Sequence, residues 1–213
     1  MGRVYIKTFG CQMNEYDSGK IRAQLQSAGF DATEDMADAD VVIVNTCSVR
    51  DKPEQKLHSF LGRVLPQKRV RPVVVAVAGC VAQMDGDRIY KKYPNVDLVF
   101  GPDAVPRVRE MLDAARTRRI LDTEFLAGSD YPFPTDLDPT AAGKVGAFVT
   151  IQKGCDNKCT FCIVPATRGA EVSRPADEVI REVRALVDQG VRSEEHTSEL
   201  QSPCNLVCRL LLE

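Results

Sequence analysis

Four short apolar stretches in the first half of the chain predict β-strands. Residues 3–9 alternate apolar and polar side chains, which is typical of a strand with one buried face. Residues 40–46 and 73–79 instead contain apolar runs without alternation, and 96–100 is a shorter run of the same kind. Such runs are typical of strands that are covered on both faces, as in parallel sheets.

Amphipathic helical stretches separate these strands. After the first strand, Ile21, Leu25 and Ala28 recur at helical spacing, and Gly29 is a suitable stop. Further helices are expected around 51–65, over 83–92 and over 103–117. Regular alternation of strand and helix predicts an α/β fold with a parallel sheet, which we assign to an amino-terminal domain over residues 1–120.

The composition changes after this unit. Residues 121–146 are rich in proline, glycine and acidic side chains, which predicts a connection between domains. A strand is expected over 147–152 and a helix over 173–190, so 147–191 is assigned to the start of a second domain. The inner face of that helix is predicted to comprise Val179, Val183, Leu186 and Val187.

Composition favours a folded protein outside membranes. The 213 residues are 44% hydrophobic and 27% charged, with a net charge of -2, which does not indicate disorder. No apolar run approaches the roughly 18–20 residues of a membrane helix, and the amino terminus lacks a signal-peptide pattern. We therefore expect a soluble, cytoplasmic protein with no membrane partner.

Basic residues are concentrated in one segment. Residues 50–72 carry seven Lys or Arg against two acids. Such a segment can bind nucleic-acid phosphates, but it can equally be a solvated helix face.

Three of the eight cysteines each come directly after a predicted strand: Cys11, Cys47 and Cys80. Taken singly, such a cysteine is often a small buried apolar residue. The carboxyl ends of parallel strands, however, meet at one edge of a sheet, where open α/β sheets bind ligands. Three cysteines at the equivalent place in successive units therefore indicate a shared ligand site.

The segment GCDNKCTFC contains three more cysteines in a C-x3-C-x2-C pattern: Cys155, Cys159 and Cys162. Structural zinc usually takes four ligands, commonly in two pairs, so a zinc site here would need a distant fourth ligand. A disulfide is disfavoured in the reducing cytosol. Three thiolates on a four-iron cluster would instead leave one iron open for chemistry.

This spacing, with Phe161 before the last cysteine, resembles the radical S-adenosylmethionine (SAM) signature. The segments TFGCQMNEYDS (8–18), NTCSVR (45–50), AGCVAQ (78–83) and GCDNKCTFCIVPATRGAEVSRP (154–175) together resemble the radical SAM methylthiotransferases over about residues 3–191. Ala166 departs from the aromatic residue that the family often has at that position.

The resemblance implies two [4Fe–4S] clusters and SAM as cofactors. Cys155, Cys159 and Cys162 would hold the SAM-binding cluster, and Cys11, Cys47 and Cys80 an auxiliary cluster that carries the inserted sulfur. One SAM would supply the methyl group and another the radical, with no catalytic residue beyond the cluster ligands. The second domain would begin a β/α barrel. An electron donor such as flavodoxin or ferredoxin, a tRNA substrate and a monomeric state are also expected.

The residues after Cys11 favour one branch of the family. GCQMNEYDS resembles the branch that adds a methylthio group at C2 of N6-isopentenyladenosine beside the tRNA anticodon. The alternatives are the branches acting on threonylcarbamoyl-adenosine tRNA or on a ribosomal-protein aspartate, which tend toward other residues at these positions. An alternative from a different class, a non-catalytic iron–sulfur electron carrier, also fits the cysteine pattern.

The end of the chain departs from the family. Only 51 residues follow Cys162, whereas a closed β/α barrel takes about 250. Residues 192–213 resemble translated sequencing adapter, so Cys204, Cys208 and His196 are expected to have no role. This chain is therefore expected to be truncated and to have no turnover of its own.

Overall fold

The computed structural model describes residues 2–48, 51–126 and 131–195, without the side chains of 51–54 and 193–195. The strands are β1 (Gly2–Phe9), β2 (Phe30–Ala32), β3 (Val41–Thr46), β4 (Val74–Gly79), β5 (Leu98–Phe100), β6 (Ile120–Asp122), β7 (Gly146–Phe148), β8 (Gln152–Lys153), β9 (Val172–Ser173) and β10 (Ser193–Glu195). The α-helices are α1 (Gln12–Ser27), α2 (Asp51–Val64), α3 (Cys80–Lys92), α4 (Val108–Ala115), α5 (Val164–Arg168) and α6 (Ala176–Asp188). Short 3-10 helices span Met36–Asp38, Leu65–Arg69, Pro102–Arg107 and Pro139–Ala141.

The amino-terminal strands form a parallel sheet in the order β2-β1-β3-β4-β5-β6. Within the described residues all of its pairings are parallel, which confirms the predicted fold class. Each crossover between neighbouring parallel strands must pass over a face of the sheet, and the helices do so. The central strands β1, β3 and β4 are direct neighbours.

Apolar residues cover both faces of this sheet. Side chains of β3 alternate between the two sides, so Ile43 packs with α1 and α4, whereas Val44 packs with α2 and α3. Both residues are fully buried. The lack of polar alternation in β3 and β4 therefore reflects two covered faces, as the sequence predicted.

Three parts of the amino-terminal domain differ from the predictions. The helix expected over 103–117 divides into the 3-10 turns Pro102–Arg107 and then α4. Pro106 explains this, because it has no N–H to donate in a helix. Strands β2 and β6 were not predicted, since three-residue strands leave little periodic signal. Because β6 pairs with β5, the sheet extends to Asp122, two residues into the segment expected to be a connection.

In the second part of the chain, α6 packs against β7 and the residues just before it. A small apolar cluster of Ala141, Val149, Leu186 and Val191 forms its core, with Val179 and Val183 against it. Val187 was predicted on this inner face but is 59% exposed. It lies one heptad from the exposed Ile180, on the side of α6 turned away from the cluster, so that prediction was wrong.

The last described strand corrects a second expectation. Residues from 192 onward were expected to lack strand character, yet Ser193–Glu195 forms β10 and pairs in parallel with Gly146–Phe148. Strand pairing uses main-chain hydrogen bonds, so an atypical side-chain sequence can still occupy the edge of β7. His196, Cys204 and Cys208 lie outside the described residues.

Candidate functional site

The three amino-terminal cysteines lie at the carboxyl edge of the sheet, as predicted. Thr46 and Gly79 are register partners on β3 and β4, and Cys47 and Cys80 directly follow them. Cys11 follows the neighbouring β1 and is the N-cap of α1. The Cys47 N–H donates to the Phe9 carbonyl over 2.9 Å, which ties the ends of β1 and β3 together.

A buried polar cluster lies directly beneath this edge. Asn14 Nδ2 donates to Asn45 Oδ1 over 2.9 Å, and Asn45 Nδ2 donates to the Asn14 carbonyl over 2.9 Å and to Ser18 Oγ over 3.0 Å. The Cys11 thiol donates to Asn14 Oδ1 over 3.3 Å. Buried amides with such complete pairing fix local geometry, so this cluster holds Cys11 against the ends of the strands. No local sequence pattern predicts this role for Asn14 and Asn45.

Gly79 permits the turn that leads into Cys80. Its φ of +91 lies in a region that side chains rarely adopt, and a Cβ there would overlap Asn45 Oδ1 and lie 2.6 Å from the Thr46 carbonyl. Only glycine fits this conformation without strain. The close approach places Cys80 beside the strand that carries Cys47.

The other three cysteines lie in a loop that β8 and β9 close. Lys153 pairs with Val172 in the antiparallel ladder, and the loop runs between them. At its start Gly154 has a φ of +72, and a Cβ there would overlap the Ala170 carbonyl oxygen. The Cys155 N–H donates to the Gly169 carbonyl over 3.2 Å. The two ends of the loop are therefore held together.

Burial differs among the three thiols of this loop. Cys155 is buried, whereas Cys159 and Cys162 are exposed and are joined by a turn in which the Cys162 N–H donates to the Cys159 carbonyl over 3.1 Å. Asn157 Nδ2 donates to Cys155 Sγ over 3.5 Å, and the Phe161 ring is 82% exposed. None of these three thiols forms a disulfide.

The donor sets fit a thiolate-bound cluster by the chemistry of their side chains. Six cysteines occur as two sets of three, and thiolate is the ligand that iron–sulfur clusters take. In the described residues, no three His, Cys, Asp or Glu side chains converge closely enough to hold a single metal ion. The structure places one set at the sheet edge and the other in the β8–β9 loop, and their role as cluster ligands stays a prediction.

Among the described residues, three buried ion pairs join the two parts of the chain. Arg168 on α5 contacts Asp17 on α1 over 2.8 Å, and Glu182 on α6 contacts Lys20 on α1 over 2.8 Å. Lys153 contacts Asp103 over 2.6 Å. Glu182 additionally pairs with Arg174 and accepts a hydrogen bond from the Tyr16 hydroxyl over 3.4 Å. No local sequence pattern indicates these pairs, because their partners lie 50 to more than 160 positions apart.

The segment expected to be a connection packs across this charged interface. The Tyr131 ring lies under the Lys153 ammonium, 4.5 Å from nitrogen to ring centre, and the Phe133 ring lies 5.7 Å from the Arg174 guanidinium. The two rings meet edge to face at 5.0 Å. Cation–π contacts of this kind are strengthened where water is excluded.

Burial shifts the titration of these groups. It raises the pKa of the Asp17 carboxyl, although the neighbouring Arg168 opposes the shift by favouring the charged form. It lowers the pKa of the Lys20 ammonium, which Glu182 opposes in the same way. Burial also raises the pKa of Tyr16, and the charge of Glu182 adds to that shift. Each charge thus depends on its partner to offset desolvation.

Several cations of the basic segment have structural partners. Lys68 pairs with Asp97 and donates to the Asn95 carbonyl, and Arg71 donates to the carbonyls of Ala39 and Met36. These contacts favour a structural role for Lys68 and Arg71 over phosphate binding.

Two family matches cover most of the chain. Residues 3–101 match the family described as Uncharacterized protein family UPF0004, and residues 149–195 match the Radical SAM superfamily. The second match contains the loop of Cys155, Cys159 and Cys162, and the first contains Cys11, Cys47 and Cys80. Residues 149–195, which contain this loop, are therefore similar to the Radical SAM superfamily.

Curated relatives make this similarity more specific. Proteins named tRNA-2-methylthio-N(6)-dimethylallyladenosine synthase are 49% identical over 191 residues in Anaeromyxobacter sp. (strain K), 48% over 194 in Methylococcus capsulatus and 45% over 194 in Myxococcus xanthus. These alignments cover 89%, 89% and 90% of this chain but 41%, 42% and 42% of those proteins. The chain is thus similar to these synthases over about nine tenths of its own length, and it spans less than half of theirs.

Solved structures support the fold alone. Two structures of the cobalamin-dependent SAM radical enzyme OxsB match with a TM-score of 0.54 and 11% or 12% identity. The two alignments cover 89% and 94% of this chain, but only 32% and 35% of the OxsB chains. No helix among the described residues is long and apolar enough to cross a membrane.

Proposed function

We propose that this chain carries the cluster-binding part of a tRNA-modifying enzyme that transfers a methylthio group to C2 of N6-isopentenyladenosine beside the anticodon. One observation carries the proposal: two sets of three cysteines lie on elements that buried ion pairs join, in a chain nearly half identical to synthases of that name. A single set of three cysteines would explain radical chemistry, but the sulfur atom of the methylthio group would then have no cluster to carry it.

Each set would hold one [4Fe–4S] cluster. Cys155, Cys159 and Cys162 would hold the cluster that binds SAM, and the second set of Cys11, Cys47 and Cys80 would hold the other. When bound, the clusters and SAM supply one-electron chemistry, a methyl group and the transferred sulfur.

The chain's own residues would position these ligands. The buried pair Asn14 and Asn45 holds the Cys11 thiol at the sheet edge. Gly154 lets the cysteine loop turn tightly against Ala170, and the β8–β9 ladder closes the loop. Two thiols of the loop face outward, where a cluster and its ligand have access.

The partners and location follow from the same proposal. The substrate would be a tRNA, the reductant a small electron carrier such as flavodoxin or ferredoxin, and the protein a cytoplasmic monomer. The names of the relatives support the tRNA substrate. Among the described basic residues, Lys68 and Arg71 are already engaged within the protein, so tRNA contact would use other groups.

A domain exchange tests the proposed activity. Residues 3–191 of this chain would replace the matching segment of the Anaeromyxobacter synthase, which is 49% identical to this chain over 191 residues. The chimera, reconstituted anaerobically, is expected to methylthiolate isopentenylated tRNA, as nucleoside mass spectrometry would show. The 213-residue chain alone is expected to give no product, since its described barrel strands are the adjacent pair β7 and β10.

Two control substrates separate the alternatives. Threonylcarbamoyl-adenosine tRNA and the ribosomal-protein aspartate should remain unmodified by the chimera. Modification of either in place of isopentenylated tRNA would show that the substrate assignment is wrong. If the addition of SAM leaves the spectrum of the reduced cluster unchanged, the protein is an electron carrier. If the purified protein is colourless and contains zinc but no iron, the cysteines form a structural metal site.

A further inference from the structure

Two of the buried ion pairs flank the cysteine loop. Lys153 directly precedes Gly154 and Cys155, and Arg168 directly precedes Gly169, whose carbonyl accepts the Cys155 N–H. Both cations therefore lie at the ends of the loop, where a shift of the main chain would move all three thiols. Their partners are carboxylates of the amino-terminal domain.

These partners are attached to the sheet edge that carries the other thiols. Asp17 lies on α1, the helix that Cys11 caps. Asp103 lies in the 3-10 turn that follows β5, and its second carboxylate oxygen accepts the Leu126 N–H over 3.0 Å. The two ion pairs thus connect one cysteine set to the other through short, ordered paths.

In the described part of the chain, none of the buried apolar clusters spans the interface that these ion pairs cross. Two of its three buried apolar clusters lie within the amino-terminal sheet and its helices, and the third lies within residues 137–191. The interface between them is crossed by charged pairs whose side chains are nearly all excluded from solvent. Buried ion pairs contribute little net stability, but they strongly disfavour other arrangements, because a displaced charge would lose its partner.

We propose that the Asp17–Arg168 and Asp103–Lys153 pairs are a positioning device that fixes the loop of Cys155, Cys159 and Cys162 relative to the sheet edge of Cys11, Cys47 and Cys80. This inference rests on the proposed function, in which one substrate must be reached from both sets. The four charged residues do not contact reacting atoms in this account, so they are positioning residues.

The test replaces each pair by apolar residues of similar size. The variants are Asp17→Leu with Arg168→Met and Asp103→Leu with Lys153→Met, since such exchanges commonly preserve stability. The matched control is Asp177→Leu with Arg181→Met, an exposed pair on α6 with a 3.4 Å separation. Arg168→Lys is a further variant that keeps the charge and loses the planar fork.

Two measurements on the 213-residue chain report position. Hydrogen exchange without iron follows the amides of 12–27 and 154–170, which we expect to exchange about tenfold faster in the double variants at an unchanged melting temperature. After anaerobic reconstitution and reduction, electron paramagnetic resonance measures the magnetic coupling between the two clusters. The parent and control should show a defined splitting, and the double variants should lose it while keeping their iron.

Each outcome decides the inference. Exchange and splitting like those of the parent in both double variants would overturn it. If the double variants do not fold, the Arg168→Lys variant is used in their place. Faster hydrogen exchange in this variant than in the parent supports the inference, and an unchanged exchange rate refutes it. If the parent itself binds iron for one cluster only, the proposed function fails, and hydrogen exchange still judges the positioning role.

Discussion

Replacing Cys155, Cys159 and Cys162 together with alanine is expected to remove about half of the iron that the reconstituted chain binds. The remaining iron should no longer respond to SAM, because the loop would offer no thiolates for an open-site cluster. Two of these side chains are exposed, so the substitutions should leave the fold intact. Iron and sulfide analysis with spectra taken before and after SAM addition measures both effects.

The control for that experiment is contained in the same chain. Cys204→Ala with Cys208→Ala also removes cysteines, but from the tail that the sequence predicts to lie outside the family. This variant should bind the parental amount of iron and keep the SAM response. Loss of iron in the tail variant, or parental iron in the loop variant, would mean that the ligands are wrongly assigned.

Glu182→Gln is expected to cause the largest loss of stability among single substitutions. The Glu182 carboxylate is buried on α6 and neutralises both Lys20 and Arg174, and it also accepts from Tyr16. Removing its charge at constant shape leaves the buried Lys20 without an anion and Arg174 with only the partly exposed Glu178. Breaking a buried pair in this way costs about 3–5 kcal/mol. Urea unfolding followed by circular dichroism measures the change in the free energy of unfolding.

Glu178→Gln is the matched control on the same helix. Glu178 contacts Arg174 over 3.4 Å, but its side chain is partly exposed. Because exposed pairs contribute little, its replacement should lower the free energy of unfolding by no more than about 1 kcal/mol. Equal effects of the two substitutions would contradict the importance assigned to the buried pairs.

The sheet and the placement of one cysteine set could be predicted because their signals are local. Apolar runs in 40–46 and 73–79 predict strands covered on both faces, and a cysteine directly after a parallel strand must lie at its carboxyl edge. The structure places Cys47 and Cys80 there after the register partners Thr46 and Gly79. These inferences need no knowledge of the distant parts of the chain.

The features that the sequence did not predict depend on distant partners. Asp17 and Arg168 are 151 positions apart, and each alone is an ordinary surface-type charge. Val187 has the spacing of an inner-face residue, but which face of α6 is covered depends on where the small apolar cluster lies. Pro106 was a local signal for the break before α4, and its missing N–H should have divided the helix predicted over 103–117.

The most direct test of the central claim is the iron and sulfide content of the 213-residue chain after anaerobic reconstitution. Two [4Fe–4S] clusters predict about eight iron and about eight sulfide per chain, with the thiols of Cys11, Cys47 and Cys80 protected from alkylation. About four of each per chain, with these three thiols still open to alkylation, would contradict the account.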